Sequence, residues 1–294
     1  MKLALGTVQF GLPYGITNRQ GQVPLAEVGC MLQAASQAGM DTLDTASTYG
    51  SSESALGQHD LTHFKVVTKL AALPTDVRGA KDVQAWVEAQ VAQSLSRLNV
   101  PCAEALLLHR PQQLFEDQGS QLAQAMQGVK ALGLVKKIGI SIYGPEILDE
   151  ALRVMPCDLI QAPFNVVDRR LASSGWLGRL HRHGVEVHVR SVFLQGLLLA
   201  GAAELPAHFS PWRPMWQRWE AWTGQQHTTS LAACLAFADS YPEISKVVVG
   251  ADSAAQLTEL LTAYRSPSKR VGEAWPDIAS NDEALIDPSM WRRA

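Results

Sequence analysis

Four side chains suited to moving a proton fall at, or just beyond, the ends of three successive apolar runs. The run at 42–46 opens the stretch LDTASTYG, which carries Asp44 and then Tyr49 in the loop that follows. The stretch VVTK ends at Lys69, and LLLH ends at His109. An ionisable residue closing an apolar strand is costly to bury unless it is paired. Each has a plain reading alone: a solvated terminus for the lysine, a turn cap for the aspartate, a satisfied core residue for the histidine. Their coincidence on adjacent strands makes a sensible acid site instead. Tyrosine, with an ordinary pKa of about 10, is a poor acid at neutral pH. A neighbouring ammonium favours the phenolate. Lys69 can supply that charge, Asp44 can hold Lys69 by an ion pair, and His109 can donate to and orient a carbonyl oxygen. Such a set delivers a proton to an oxygen that gains negative charge as hydride arrives at carbon.

The elements that must position these groups follow one rhythm. Strand-like apolar runs stand at 3–8, 42–46, 65–70, 105–109, 137–142, 159–164, 186–192 and 246–250, separated by helical stretches. Val28, Met31, Leu32 and Ala35 mark one helical face, with Gly39 placed as its C-cap. Val83, Val87, Val91, Leu95 and Leu98 mark another. Eight strands alternating with helices predict a closed parallel (β/α)8 TIM barrel, with a doubly wound sheet as the competitor. A dinucleotide-binding sheet would normally carry GxGxxG after a strand, and neither that motif nor GxxxxGK[ST] occurs. The barrel is therefore preferred, and in a barrel chemistry sits where strands end.

The 294 residues are expected to form a single barrel domain, 1–294, with a Trp-rich rim insertion at about 193–228. Trp212, Trp216, Trp219 and Trp222 are spaced along one face of a helix. They are expected to cover the apolar rim, and an aromatic wall over the substrate is the functional alternative. The tail after Ser266 is expected to pack irregularly across the surface.

A net charge of −3 offers no basic field for phosphate backbones, so no nucleic-acid partner is expected. No apolar run reaches the roughly 18 residues of a membrane helix, and the start MKLALGTVQFG does not read as a signal peptide. Cys30, Cys102, Cys157 and Cys234 are too far apart for a CxxC pair, which suits reduced, cytoplasmic thiols. His59 and His63 stand four residues apart without a third ligand nearby, so no metal is expected. A monomer is the default.

These residues resemble the aldo-keto reductase superfamily. The resemblance is carried, in order, by LGTVQFG at 5–11, DTASTYGSSESALG at 44–57, VVTK at 66–69, LLLHRP at 106–111, KKIGIS at 136–141, QAPFN at 161–165, RSVFLQGLLL at 190–199 and VVVGADSAAQL at 247–257. It implies a barrel that binds NAD(P)H across its C-terminal rim and reduces an aldehyde or ketone reversibly. Asp44, Tyr49, Lys69 and His109 correspond to the family's catalytic tetrad, with Tyr49 the general acid. Ser141 and Gln161 correspond to the residues that hold the nicotinamide carboxamide. Gly6, Thr7, Arg190, Ser191, Gly250, Ala251, Asp252, Ser253 and Gln256 fall at the family's other cofactor positions, and the last five of these face the diphosphate or ribose.

The pattern departs at several of these places. Ile142 stands where Asn usually follows the strand-five Ser, and Arg190 where an aromatic usually stacks on the nicotinamide. A guanidinium plane can stack instead. Asp252 replaces a frequent Arg or Lys, Gln256 stands at the second basic position, and Leu260 replaces an Asn. The family implies NADP; a carboxylate at 252 repels a 2′-phosphate and suits a ribose diol, which points to NAD. The segments TVQFGLPYG and RSVFLQGLLL are similar to those of bacterial members associated with sugar and glycan metabolism, so a small carbonyl compound of the sugar kind is the expected substrate. A nucleotide-binding regulatory subunit is the alternative to an enzyme, and the intact tetrad speaks against it.

Overall fold

The computed structural model describes residues 1–16, 18–266 and 274–291. Eight parallel strands close into a barrel in sequence order: β1 Leu3–Gly6, β2 Thr42–Asp44, β3 Lys65–Leu70, β4 Ala103–Leu108, β5 Val135–Ser141, β6 Leu159–Pro163, β7 Glu186–Arg190 and β8 Lys246–Val249. The seam pairs Leu3 with Val247 and Leu5 with Val249. All eight runs read from the sequence are strands, as expected of the (β/α)8 barrel. Several end one to two residues early, because the chain turns into the rim loops: Val8–Phe10 is already a turn of 3₁₀ helix.

The helices are α1 Leu25–Ala38, α2 Ser52–Leu56, α3 Ala80–Leu98, α4 Gly119–Ala131, α5 Leu148–Val154, α6 Arg170–Ser173, α7 Trp176–Arg182, α8 Arg213–Gln225, α9 Ser230–Asp239, α10 Ala254–Arg265 and α11 Glu283–Ile286. The anticipated apolar faces are the buried ones. Val28, Met31, Leu32 and Ala35 of α1 are in the core, and Gly39 ends that helix at φ 83° with its N–H on Ala35 and Ser36 carbonyls. None of these helices is long and apolar enough to cross a membrane, among the described residues.

Side chains alternate across a strand, so residues two apart share a face. This alternation positions the site. Val67, Ala105, Leu107 and Leu159 form an apolar plug inside the barrel. Two residues further along the same faces stand Lys69 after Val67, His109 after Leu107 and Gln161 after Leu159. The interior thus changes from apolar to polar in one step at the C-terminal mouth.

The segment after β7 holds two 3₁₀ stretches, Leu194–Leu199 and Ala207–Trp212, and then α8. Trp216 and Trp219 of α8 are both 1% exposed. Their indole N–H groups donate to the carbonyls of Leu197 at 2.8 Å and Leu198 at 3.1 Å. Trp219 stacks on Trp222 with ring centroids 5.5 Å apart. These rings pin the loop after β7 from behind, so they are packing rather than a wall over the substrate. Residues 267–273 lie outside the described part. Beyond them Ile278, Leu285 and Ile286 are buried, because the tail supplies apolar side chains to the same layer.

Candidate active site

The site grows from β2, β3 and β4. Lys69 is 1% exposed and Asp44 is 4% exposed. The Lys69 ammonium donates to Asp44 Oδ1 at 2.7 Å and to the Thr45 carbonyl at 2.8 Å. It also sits 4.9 Å from the centre of the Tyr49 ring. Burial alone would push the Lys69 pKa down. The charge of Asp44, with Tyr49 beside it, outweighs burial and holds the pKa above its ordinary value. Lys69 is therefore a fixed cation under Tyr49.

Tyr49 owes its position to two glycines. A Cβ on Gly11 would lie 1.7 Å from the Tyr49 carbonyl oxygen. A Cβ on Gly50, at φ +53°, would lie 2.3 Å from the Gly11 carbonyl oxygen. The loops after β1 and β2 therefore meet backbone to backbone on either side of Tyr49. Ser52 reinforces the junction, donating to the Thr7 carbonyl at 2.8 Å.

His109 faces Tyr49 edge to face with centroids 5.7 Å apart. Its Nδ1 is 3.0 Å from the Thr48 hydroxyl. Burial, with the charges of Lys69 and Arg190, lowers its pKa to about 4, so the ring is neutral at neutral pH. If Thr48 donates to Nδ1, Nε2 carries the proton and can donate into the mouth.

Ser141 and Gln161 join the same network. Ser141 Oγ donates to Gln161 Oε1 at 3.1 Å, and Gln161 Nε2 donates to Asp44 Oδ2 at 2.6 Å. A hydroxyl and an amide in this mouth fit the carboxamide of a nicotinamide. Ile142 is fully buried and offers only its carbonyl, which accepts from Arg190 Nη2 at 3.0 Å. Arg190 also donates to Ser191 Oγ at 3.2 Å. Its guanidinium lies 4.6 Å from the Tyr143 ring centre. Its plane therefore stacks on a side chain of its own chain. Ser191 itself is held left-handed at φ 58°.

Thr7 follows directly on β1. It is fully buried, and its hydroxyl donates to the Asp44 carbonyl at 3.0 Å while accepting from Ser52 at 2.9 Å. Its side chain therefore braces the end of β2. Gly6 is likewise buried, its α-carbon facing Val248.

The turn from β8 into α10 gathers Gly250, Ala251, Asp252, Ser253 and Gln256. The Ser253 hydroxyl accepts from Gln256 N at 3.2 Å, and Gln256 Oε1 accepts from Asp252 N at 2.9 Å. Ala251 is buried, so it can offer a ligand only backbone. Asp252 Oδ1 accepts from Asn18 at 3.2 Å, and burial pushes its carboxyl pKa up. Leu260 is buried in the core and cannot reach a ligand. A second carboxylate went unseen in the sequence: Glu27 of α1 accepts from Ala254 N at 2.6 Å. Donors at this helix start are thus partly taken by the protein's own acids. Gln9 Oε1 is buried beside Gly250 without a partner, among the described residues. Sequence reasoning also missed Thr48, Tyr14 and Tyr143: the closed barrel brings Thr48 to His109, Tyr143 to Arg190, and Tyr14 near Arg190 and Tyr49.

His59 packs its ring against Gly29, and His63 is exposed. Among the described residues no three His, Cys, Asp or Glu side chains gather as a metal site. The four cysteines are free.

The model of the aldo/keto reductase family matches residues 2–272. An aldo-keto reductase of Strobilurus tenacellus is 30% identical over 267 residues, covering 88% of this chain and 70% of that protein. A D-threo-aldose 1-dehydrogenase of a Pseudomonas species is 28% identical over 269 residues, covering 79% of this chain and 82% of that protein. Among solved structures, the glycerol dehydrogenase of Gluconobacter oxydans superimposes with a TM-score of 0.70 at 20% identity, covering 90% of this chain and 86% of that one. The holo form of an aldo-keto reductase of Bacillus halodurans also gives 0.70, at 19% identity, with 90% and 87% covered. At such identities the structures speak for the fold, while the sequence matches speak for the lineage: this chain belongs to the aldo/keto reductase family and is an NAD(P)-dependent oxidoreductase.

Proposed function

We propose that the chain reduces an aldehyde or ketone with Tyr49 as general acid, and reverses the reaction as an alcohol dehydrogenase. The observation that carries this reading is the buried Lys69 ammonium, held by Asp44 at 2.7 Å and lying 4.9 Å from the Tyr49 ring centre. The reduced nicotinamide, when bound, supplies hydride to the carbonyl carbon. The chain's own residues do the rest. Ser141 and Gln161 orient the carboxamide. Neutral His109 donates to the carbonyl oxygen and fixes its direction. Tyr49 gives that oxygen its proton, and Lys69 stabilises the phenolate left behind. Asp44 keeps Lys69 charged and in place.

NAD is the better-fitting cofactor, because Asp252 and Glu27 place two carboxylates at the start of α10. The relative named as an aldose dehydrogenase supports a sugar-like carbonyl compound as substrate. No observation favours the regulatory-subunit reading over the enzyme.

Replacing Tyr49 with Phe removes the proton and keeps the ring. Turnover of a carbonyl panel should fall about 10²- to 10⁴-fold, while the dissociation constant for NADH, read by tryptophan quenching, stays close to that of the parent. Full turnover in Tyr49→Phe would overturn the assignment.

A further inference from the structure

Arg190 ends β7 on the strand face it shares with His188, at the same mouth as Tyr49 and His109. It is half-buried. Two cations near this mouth hold a carboxylate: Lys69 holds Asp44 at 2.7 Å, and Arg170 holds Asp168 at 2.9 Å, while Arg169 donates to the carbonyls of Val166 and Pro276. Arg190 holds no carboxylate among the described residues. It donates to Ile142 O and Ser191 Oγ, whereas a guanidinium carries five N–H donors. Donors therefore remain for a ligand.

The group is also held still. One face lies on Tyr143, whose carbonyl is gripped by Arg170 at 2.7 Å. The next residue, Ser191, keeps a left-handed backbone at φ 58°, and Asn165 donates to its carbonyl at 3.0 Å. Such strain persists only where the surroundings over-determine it, and it gathers at ligand sites. The charge of Arg190 reaches the reaction side, where it lowers His109 and bears on Tyr14. A neutral substrate would leave this half-buried cation uncompensated.

We propose that Arg190 is the receptor for an anionic group on the substrate, so that the carbonyl compound reduced here carries a carboxylate or a phosphate. This rests on the carbonyl-reduction reading above and narrows it to acids. A guanidinium fork suits either group, because both present paired oxygens.

The test compares kcat/KM within two pairs: succinic semialdehyde against butanal, and glyceraldehyde 3-phosphate against glyceraldehyde. It is run on the full chain and on Arg190→Met and Arg190→Lys. Calorimetric titration of succinate and glycerol 3-phosphate onto the protein with NAD gives a readout without turnover, and the NADH dissociation constant is followed in parallel. The parent should favour the acid of one pair by roughly ten- to hundredfold, and which pair responds tells carboxylate from phosphate. The ratio should collapse toward one in Arg190→Met and recover in part in Arg190→Lys. Equal or better use of the neutral member in both pairs overturns the inference while carbonyl reduction stands. NADH weakened in Arg190→Met with the acid preference intact also overturns it, assigning the guanidinium to the cofactor's diphosphate. If no carbonyl compound is turned over, the reduction reading fails; the inference then stands on Arg190-dependent binding of either acid, and falls without it.

Discussion

Gln161 and Lys69 divide one carboxylate between them: Asp44 Oδ2 receives the amide at 2.6 Å and Oδ1 receives the ammonium at 2.7 Å. On the function proposed above, the carboxylate ties the cofactor side of the mouth to the proton-donor side. Asp44→Asn offers one oxygen to two donors and leaves Lys69 buried without a counter-charge. Breaking a buried pair from one side costs about 3–5 kcal/mol. In a domain of this size that lowers the thermal midpoint by on the order of 10 °C. Calorimetry should show this drop, with turnover reduced by orders of magnitude. A variant that keeps the parent midpoint would mean that Lys69 has found another partner.

Gly11 offers a different kind of test, because it touches the proton donor only through backbone. A methyl there would overlap the Tyr49 carbonyl, 1.7 Å away. Gly11→Ala should therefore displace the loop bearing Tyr49 and lower kcat by at least about tenfold, since small misplacements of reacting groups are expensive. Gly21→Ala is a suitable comparison for backbone strain, because Gly21 has positive φ and nothing within 4 Å of a Cβ. Equal kcat in the two variants would remove the loop junction from the account.

The strands, and the gathering of Asp44, Lys69 and His109 at one mouth, were legible because they obey short-range rules. Alternation puts Lys69 on the face of Val67 and His109 on the face of Leu107, so a reader who places the strands has placed the groups. The hydrogen-bond partners of Thr7 were not legible, for the converse reason. Its position in the order LGT says that it ends β1, while its burial behind Asp44 is set by the pairing of Gly6 with Asp44. Glu27 and Arg190 show the same limit. The contact of Glu27 with Ala254 joins residues 227 apart. The absence of an acid beside Arg190 depends on where every other strand ends. The tryptophan spacing fixed a helix face, yet which wall that face meets is a tertiary fact.

Acid should loosen this barrel through His188. The ring is 4% exposed and its Nδ1 has no partner among the described residues. Burial comes first among the causes that lower its pKa to about 4, with Lys246 and Lys137 adding to it and Asp44 and Glu186 opposing. In the unfolded chain the ordinary value is about 6.5. The unfolded state then binds the proton first, so the stability is complete above about pH 6.5 and is lost as pH falls toward 4. The loss from this one residue is at most about 3 kcal/mol. Urea unfolding at pH 7, 6, 5 and 4 should trace the decline, and His188→Leu should make it shallower, the remainder coming from His109, whose pKa is lowered to the same range. An equally steep decline in His188→Leu would shift the cause to other groups.

The start of α10 is where a preference between NADH and NADPH can be tested. Glu27 Oε1 lies 2.6 Å from Ala254 N, and Asp252 Oδ1 is held by Asn18 at 3.2 Å. A 2′-phosphate brought there would meet two carboxylates where a helix N-terminus would otherwise attract it. A ribose diol would instead find acceptors. The parent should therefore bind NADH more tightly than NADPH in tryptophan-quench titrations. Asp252→Ser and Glu27→Gln should each tighten NADPH by roughly tenfold, the effect of removing about 1.4 kcal/mol of repulsion at a screened, partly exposed site. NADH should weaken a few-fold in Asp252→Ser as an acceptor is lost. The two gains for NADPH should be close to additive if the carboxylates act independently, and less than additive if removing one lets the other swing away. A parent that clearly prefers NADPH would show that these acids face away from the ribose, and the cofactor assignment would revert to the family's usual one.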